Sequence, residues 1–157
     1  MAVGRIDSYL FFNGRAREAA LCYGKIFGVT PTIMGMNEMP GMEGRGEEGQ
    51  VAHADLRFDE GTGIMLSDGF NENFTVGNNF SMSWATGDEA LFDRIWQAFL
   101  DNGSELEMPI DKTFWAEKFG SVIDPFGVSW MLMYSTPEQA AAVDFGSQNK
   151  ADPQQQL

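Results

Sequence analysis

The single histidine of the chain lies where it could transfer a proton. It belongs to an alternating run, residues 51–58, which predicts a strand with His53, Asp55 and Arg57 on one face. Side chains two positions apart in a strand lie on the same side, about 7 Å apart at the backbone. Asp55 is therefore placed to bias the His53 imidazole toward general-base catalysis. The alternative is a histidine that is hydrogen-bonded inside the fold or at a subunit interface.

Other patterns of catalytic residues are missing from the sequence. With one histidine, a metal triad of two histidines and a carboxylate cannot form within one protomer. The sequence contains no Gly-x-Ser-x-Gly elbow, no Gly-x-x-x-x-Gly-Lys-Ser/Thr phosphate loop and no strand-associated Gly-x-Gly-x-x-Gly. The glycine-rich residues 41–46 lie in an acidic loop that no helix follows. Cys22, beside Tyr23 in a predicted helix, is interpreted as a packing residue rather than a nucleophile.

Composition restricts the partners and the location. The 157 residues carry a formal charge of −13, from 23 acidic and 10 basic side chains. Such a charge disfavours nucleic acid and anionic membranes and leaves neutral or cationic small molecules as partners, although acidity often serves solubility alone. One cysteine excludes an internal disulfide, and no signal peptide or transmembrane span is evident. The sequence therefore predicts a cytoplasmic protein.

The first half of the chain predicts the order strand, helix, strand, strand, strand. The first strand, residues 6–12, ends at Asn13-Gly14, which is a helix-cap signal. Apolar residues then recur at helical spacing from Arg15 to Phe27, and Gly28 is expected to end the helix. Strands are predicted at residues 30–36, 51–58 and 64–67. The loop 37–50 is either a lid or an ordinary connection.

The second half repeats this order. A strand is predicted at residues 78–86, a helix at 88–100 ended by Asn102-Gly103, and a strand at 105–108. Two more strands, 119–123 and 128–134, flank the turn Asp124-Pro125-Phe126-Gly127. Helices of matching position about seventy residues apart indicate a duplicated βαβββ unit. We predict one α+β domain, residues 1–137, with modules at 5–69 and 78–135. A short helix and flexible tail follow at 138–157, where the last dozen residues are either disordered or a dimer arm.

Each helix covers one face of its sheet, so the opposite face meets the other module or lines a cavity. Alternation assigns to that face a mixture of serines, methionines and aromatic residues: Tyr9, Phe11, Met65, Ser67, Ser81, Ser83, Ser129, Met131 and Met133. An apolar cavity with a few polar groups is typical of a small-molecule pocket. The alternative is a packed core in which the serines bond to nearby backbone. Phe114 and Trp115, beside the last hairpin, could stack on a planar ligand or pack in a subunit interface.

The strand, Asp-Pro-x-Gly turn and strand at residues 119–134 resemble the closing hairpin of the vicinal oxygen chelate superfamily, which includes glyoxalases and bleomycin-resistance proteins. The patterns Phe114-Trp115 and Phe126-Gly127-Val128-Ser129-Trp130-Met131 resemble its PhnB-like branch more narrowly, and the likeness extends back to Tyr9–Gly14. The resemblance implies two βαβββ modules forming a half-open barrel, usually as a homodimer. Relatives of this kind are sometimes labelled ubiquinone-pathway methyltransferases.

The resemblance also places the metal positions of metal-dependent superfamily members. Those positions, usually His or Glu, fall here at Tyr9, Met65, Ser81 and Met131, which are poor ligands for a divalent ion. We therefore expect no metal and no cofactor, although a site shared between chains around His53 is an open alternative.

Three functions remain from the sequence. The preferred one is a metal-free protein that binds an apolar or aromatic small molecule in the barrel cavity, and whether it is an enzyme is open. The second is an enzyme in which His53 and Asp55 transfer protons. The third is a dimeric interaction module with a vestigial cavity. For the first, the predicted ligand-binding residues are Tyr9, Phe11, Met65, Ser67, Ser81, Ser83, Phe114, Trp115 and Met131.

Overall fold

The computed structural model describes residues 7–41, 43, 46–58, 61–69 and 73–142. The chain divides into two compact units, residues 1–77 and 78–157, and each is described by itself. The predicted tail from residue 143 onward lies outside the described residues. No helix in the described part is long and apolar enough to cross a membrane.

The first unit is a four-stranded sheet with one helix. Its elements are β1 (Ser8–Phe12), α1 (Ala16–Phe27), β2 (Thr32–Gly35), β3 (Val51–Arg57) and β4 (Gly63–Asp68), with a single 3-10 turn at Met36–Glu38. The strand order is β1-β4-β3-β2, in which β1 and β4 are parallel and the other pairs antiparallel. Helix α1 packs on β3 and β4.

The second unit repeats this arrangement. Its elements are β5 (Met82–Thr86), α2 (Glu89–Asp101), β6 (Glu105–Asp111), β7 (Lys118–Ile123) and β8 (Ser129–Tyr134), followed by α3 (Pro137–Ala142). The order β5-β8-β7-β6 again has one parallel pair, β5 with β8. The predicted α+β fold of two βαβββ modules is confirmed.

The first helix begins differently from the sequence prediction. Asn13-Gly14 is not its cap: α1 starts at Ala16, and the preceding Arg15 makes no side-chain capping bond. The cap comes from the far end of β4, where Asp68 Oδ1 accepts a hydrogen bond of 3.0 Å from Ala16 N. Its other oxygen, Oδ2, accepts one of 2.9 Å from Val51 N at the start of β3. This one buried carboxylate joins three elements of the first unit.

Two strands of the second unit have bounds that differ from the predicted ones. The strand predicted at 78–86 begins only at Met82, and the strand predicted at 105–108 extends to Asp111 despite Pro109. Strand β6 is the edge of its sheet, where a missing backbone N–H is tolerated. Gly28 ends α1 in the left-handed conformation, as predicted.

The second core forms where α2 packs on its sheet. The buried residues of the helix include Trp96 and Phe99, and the ring centroid of Phe99 lies 5.2 Å from that of Trp130 in β8. Gly120 in β7 lies directly under Trp96, because a Cβ there would come 2.7 Å from the indole and 3.0 Å from the Met108 carbonyl oxygen. The helix can approach the sheet this closely only because position 120 has no side chain.

We expect Gly120→Ala to lower the free energy of unfolding by about 1–3 kcal/mol, the usual cost of overpacking a core. The matched control is Gly87→Ala in the same unit, where the nearest atom to a new Cβ is 3.9 Å away. Urea denaturation of the two variants tests this. Equal midpoints for both would contradict the close approach of Trp96.

Candidate functional site

The helix-free face of the first sheet carries most of the residues that the sequence singled out. The strand register lines them up in two rows across the sheet. One row is Tyr9, Met65, Asp55 and Thr32; the other, one step along, contains the partners Phe11 and Ser67 and the partners His53 and Met34. The opposite face holds the apolar residues that pack under α1, such as Leu10, Leu66 and Leu56. The predicted assignment of residues to faces is therefore confirmed for this unit.

His53 has a partner that the sequence did not suggest. The Tyr9 hydroxyl lies 3.1 Å from His53 Nδ1, although β1 and β3 are separated by β4. Strands lie about 4.8 Å apart, so the tyrosine and histidine side chains lean toward each other over β4 and together span two strand spacings. In the intervening strand β4, the register partner of Phe11 is the small Ser67, which is almost fully buried. This bond fixes the two rings relative to each other on the face of the sheet.

Asp55 is engaged elsewhere. Arg57 Nε lies 2.9 Å from its carboxylate, and the same guanidinium lies 3.7 Å from Asp7. Asp55 and His53 share a face, as predicted, but their described hydrogen bonds go to different partners. The structure thus pairs His53 with Tyr9 and Asp55 with Arg57.

Phe11 makes this face unusually apolar for an exposed surface. Its side chain is 60% exposed, and its ring centroid lies 5.0 Å from that of Tyr9, which in turn lies 5.8 Å from the His53 ring. The three neighbouring rings are tilted against one another by 32° and 43°, and together they form a surface that has both apolar and polar groups. Surfaces of this kind suit planar ligands. We call Tyr9, Phe11 and His53 the aromatic surface.

The second sheet has an equivalent helix-free face with a different composition. Ser83 pairs with Met131, Ala85 with Met133, and Ser121 with Met131 on its other side. Ser81 lies just before β5, and its Oγ is 3.0 Å from Ser129 Oγ at the start of β8. Met131 and Met133 are half-buried on this face, and the serines beside them range from buried Ser121 to exposed Ser83.

The carboxylate of Glu107 bonds to one of these serines, a contact that was not predicted from the sequence. Ser129 Oγ donates a hydrogen bond of 3.0 Å to Glu107 Oε2. Glu107 lies in β6 where the register shifts between Leu106 and Met108, so simple alternation along the strand does not give its direction. The only signal in the sequence was an acidic residue in a short strand near the closing hairpin. We call Ser81, Ser129 and Glu107 the hydroxyl–carboxylate group.

Phe114 and Trp115 lie in the segment between β6 and β7. The two rings meet edge-on at 4.7 Å, and Trp115 meets Phe119 of β7 at 5.7 Å. Phe114 is 79% exposed. The backbone carbonyl of Trp115 accepts a 2.8 Å hydrogen bond from Ser135 Oγ, which fixes the backbone at this residue. The segment therefore presents an exposed aromatic edge on a fixed support.

The side chains at the superfamily's metal positions do not suit a divalent ion. Tyr9 and Met65 are register partners in the first unit, and they offer a phenol and a thioether. In the second unit, the partner of Met131 is Ser83, whereas Ser81 bonds to Ser129. Thioethers favour soft ions such as Cu(I), and neutral hydroxyls are weak ligands. Within the described residues, no three His, Cys, Asp or Glu side chains gather into a metal-binding group.

Comparison with known proteins identifies the family. The family model for 3-demethylubiquinone-9 3-methyltransferase matches residues 4–133, which is most of the chain. The chain belongs to this family. Protein YjdN of Escherichia coli K12 is 28% identical over 138 residues, which cover 81% of this chain and 92% of YjdN.

Solved structures of related proteins agree with the family match. The crystal structure of protein PA1353 from Pseudomonas aeruginosa is 30% identical, with a TM-score of 0.72, and covers 85% of this chain and 98% of its own. A Bacillus cereus PhnB protein, described as a putative 3-demethylubiquinone-9 3-methyltransferase, is 28% identical with a TM-score of 0.66, over 84% of this chain and 100% of its own. The PhnB-like resemblance seen in the sequence is therefore confirmed.

A more distant structure establishes the wider fold. The fosfomycin resistance protein FosX from Listeria monocytogenes has a TM-score of 0.59 at 12% identity, over 88% of this chain and 98% of its own. FosX is a member of the vicinal oxygen chelate superfamily, so this family has the glyoxalase/bleomycin-resistance fold. At this identity the likeness concerns the fold alone.

Proposed function

We propose that this family member is a small-molecule binding protein that holds an apolar or aromatic ligand, without a metal, and that the helix-free face of each sheet offers contacts for such a ligand. The observation that carries this proposal is the aromatic surface, where Phe11 is largely exposed beside the bonded pair Tyr9 and His53. An exposed phenylalanine on the edge strand of a sheet gains hydrophobic free energy when a ligand covers it. Tyr9 and His53 add hydrogen bonding next to that apolar contact.

The second sheet supports the same function with different residues. Met131 and Met133 are half-buried in β8 and leave flexible thioether side chains on the face. Methionine adapts its shape to irregular partners, and the serines beside it supply polar contacts. Ser83, Phe114 and Trp115 complete the proposed ligand-contacting residues of this unit. We extend the proposal to a homodimer, as the superfamily resemblance implies, and to a cytoplasmic location, as the sequence predicted.

Proton transfer by His53 is the second candidate, and the Tyr9 contact is the observation that favours it. In that case Tyr9, rather than Asp55, is the group that orients the imidazole, because Asp55 is bonded to Arg57. Removing His53 would then abolish a reaction, whereas a binding protein would keep most of its affinity.

The methyltransferase named in the family description receives no support from the turns between strand and helix. The β1–α1 turn contains one glycine, Gly14, and the β5–α2 turn contains one, Gly87. A nucleotide-type cofactor is usually bound where several glycines let the backbone approach its phosphates or ribose at a helix start. We therefore prefer binding over methyl transfer.

The test uses tryptophol, a neutral indole alcohol, as the probe. We expect Phe11→Ala to raise its dissociation constant at least about fivefold, because an aromatic contact contributes roughly 0.5–1.5 kcal/mol beyond the area it buries. The titration is followed by ligand-observed NMR in the presence of EDTA, and we expect the chelator to change nothing.

The matched control is Leu21→Ala on α1, which removes a similarly exposed apolar side chain, 54% against 60% for Phe11. It lies on the helix that packs on the opposite face of the sheet. An equal loss in both variants, or binding that EDTA abolishes, would contradict the proposal.

A further inference from the structure

The hydroxyl–carboxylate group has a fixed direction of hydrogen bonding. Ser129 Oγ donates its only proton to Glu107 Oε2 at 3.0 Å. The contact of 3.0 Å between Ser81 and Ser129 must then use the Ser81 proton, because the Ser129 proton is already committed. The Met82 carbonyl, 3.4 Å from Ser81 Oγ, is a more distant second acceptor for the same proton. The chain of donation therefore runs from Ser81 to Ser129 to Glu107.

Because both serine protons are used within the group, the group offers a ligand only hydrogen-bond acceptors. Ser81 Oγ keeps its lone pairs, and the Glu107 carboxylate keeps most of its acceptor positions. Among the described residues no lysine or arginine forms an ion pair with Glu107, so its negative charge is not neutralised by a neighbour. The formal charge of −13 adds to the negative potential around it. A hydrogen-bond donor with a positive charge fits these acceptors, and a carboxylate or phosphate is repelled.

Two methionines on the same face could contact the apolar part of such a ligand. The partner of Ser83 in the parallel strand pair is Met131, one step along the same face from Ser81 and Ser129. Met131 and Met133 are half-buried, so their side chains are partly open on this face. An ammonium group at Glu107 and Ser81 would leave the body of the ligand over these methionines.

We propose that the hydroxyl–carboxylate group selects amines: the ligand is a primary ammonium with an apolar or aromatic body, bound through Glu107 and Ser81. This inference rests on the proposed binding function and deepens it by naming the ligand class. Hydrogen bonds between charged partners are about twice as strong as neutral ones, which makes Glu107 the residue that decides between amine and alcohol.

The test compares three indoles with the same aromatic body: tryptamine, which is an ammonium, tryptophol, which is neutral, and indoleacetate, which is a carboxylate. Because Glu107 is exposed and solvent weakens its charge, we expect tryptamine to bind about two- to fivefold tighter than tryptophol. Indoleacetate should bind most weakly. Glu107→Gln should remove the advantage of tryptamine and leave the affinity for tryptophol within about twofold.

The control variant is Asp101→Asn, which removes the same charge from the end of α2, the helix that packs on the other face of this sheet. It should keep the preference for tryptamine, so equal losses in Asp101→Asn and Glu107→Gln would mean that bulk charge alone attracts the amine, and would overturn the site. Equal binding of tryptamine and tryptophol to the unaltered chain would overturn the inference and leave the binding function standing. If none of the three indoles binds, the binding function itself fails.

Discussion

Replacing Asp124 by alanine is expected to lower the free energy of unfolding by at least about 3 kcal/mol, since each buried donor left without an acceptor costs about 1–3 kcal/mol. The carboxylate is 4% exposed and serves three donors. Its Oδ1 accepts from the backbone N–H groups of Phe126 and Val128, both at 2.9 Å. Its Oδ2 accepts from Trp130 Nε1 at 2.9 Å. The loss is large because one side chain organises both the turn and the start of β8.

The backbone of Asp124 also takes part in the turn between β7 and β8. Gly127 N donates to the Asp124 carbonyl at 2.9 Å, and Gly127 has a φ of +86°, so the loop closes in a conformation that suits glycine. Asp124 therefore contributes its backbone and its side chain to the same hairpin. Without the carboxylate, the hairpin loses the contact that joins it to the Trp130 indole in the core.

Urea denaturation followed by near-UV circular dichroism measures the loss. Trp130→Phe removes one of the three donors, and should cost less in the Asp124→Ala background than in the unaltered chain. The exposed Asp111→Ala serves as the control and should stay within about 0.5 kcal/mol of the unaltered chain, as surface substitutions usually do. A midpoint for Asp124→Ala as high as that of Asp111→Ala would refute the role assigned to this carboxylate.

The second large effect is expected at Asp68, where alanine should lower the free energy of unfolding by about 2–6 kcal/mol, because two buried donors lose their acceptor. Asp68 is 1% exposed and bonds to Ala16 N and Val51 N. The first bond also places a negative charge at the positive end of the α1 dipole. Its loss frees both the start of the helix and the start of the strand that carries His53.

Amide hydrogen exchange gives a local readout of this effect. In Asp68→Ala the amides of Ala16 and Val51 should exchange much faster, while those of the second unit stay protected. Glu18→Gln, in the exposed first turn of the same helix, is the control and should leave both amides protected. Unchanged exchange at Ala16 in Asp68→Ala would show that the helix does not depend on this cap.

The regular elements could be predicted because their signals are local. The spacing of Ala16, Ala19, Ala20 and Tyr23 predicted α1, and alternation in residues 51–57 predicted which side of β3 faces the helix. The duplication followed from two such patterns in the same order. The strand bounds were less certain, because β6 continues past Pro109 as an edge strand, where propensity is a poor guide.

The partners of the site residues could not be predicted, because they depend on which strands are neighbours. Tyr9 in β1 reaches His53 in β3 over the intervening strand β4, and this strand order is not visible in the sequence. Asp68 caps a helix 52 positions earlier in the chain, a distance over which no capping signal operates. Glu107 reaches Ser129 through an irregular part of β6, which alternation does not describe. In each case the residue type was visible, and its contact was not.

The most direct test of the binding account is NMR of the chain with its ten methionine methyl groups labelled, titrated with tryptophol. Met65 and Met131 lie on the two helix-free faces, whereas Met36 is buried away from solvent and serves as the internal control. We predict that the methyl signals of Met65 and Met131 shift in a saturable way and that Met36 stays in place. If saturating tryptophol leaves both Met65 and Met131 unmoved, the helix-free faces are not where this protein binds a small molecule.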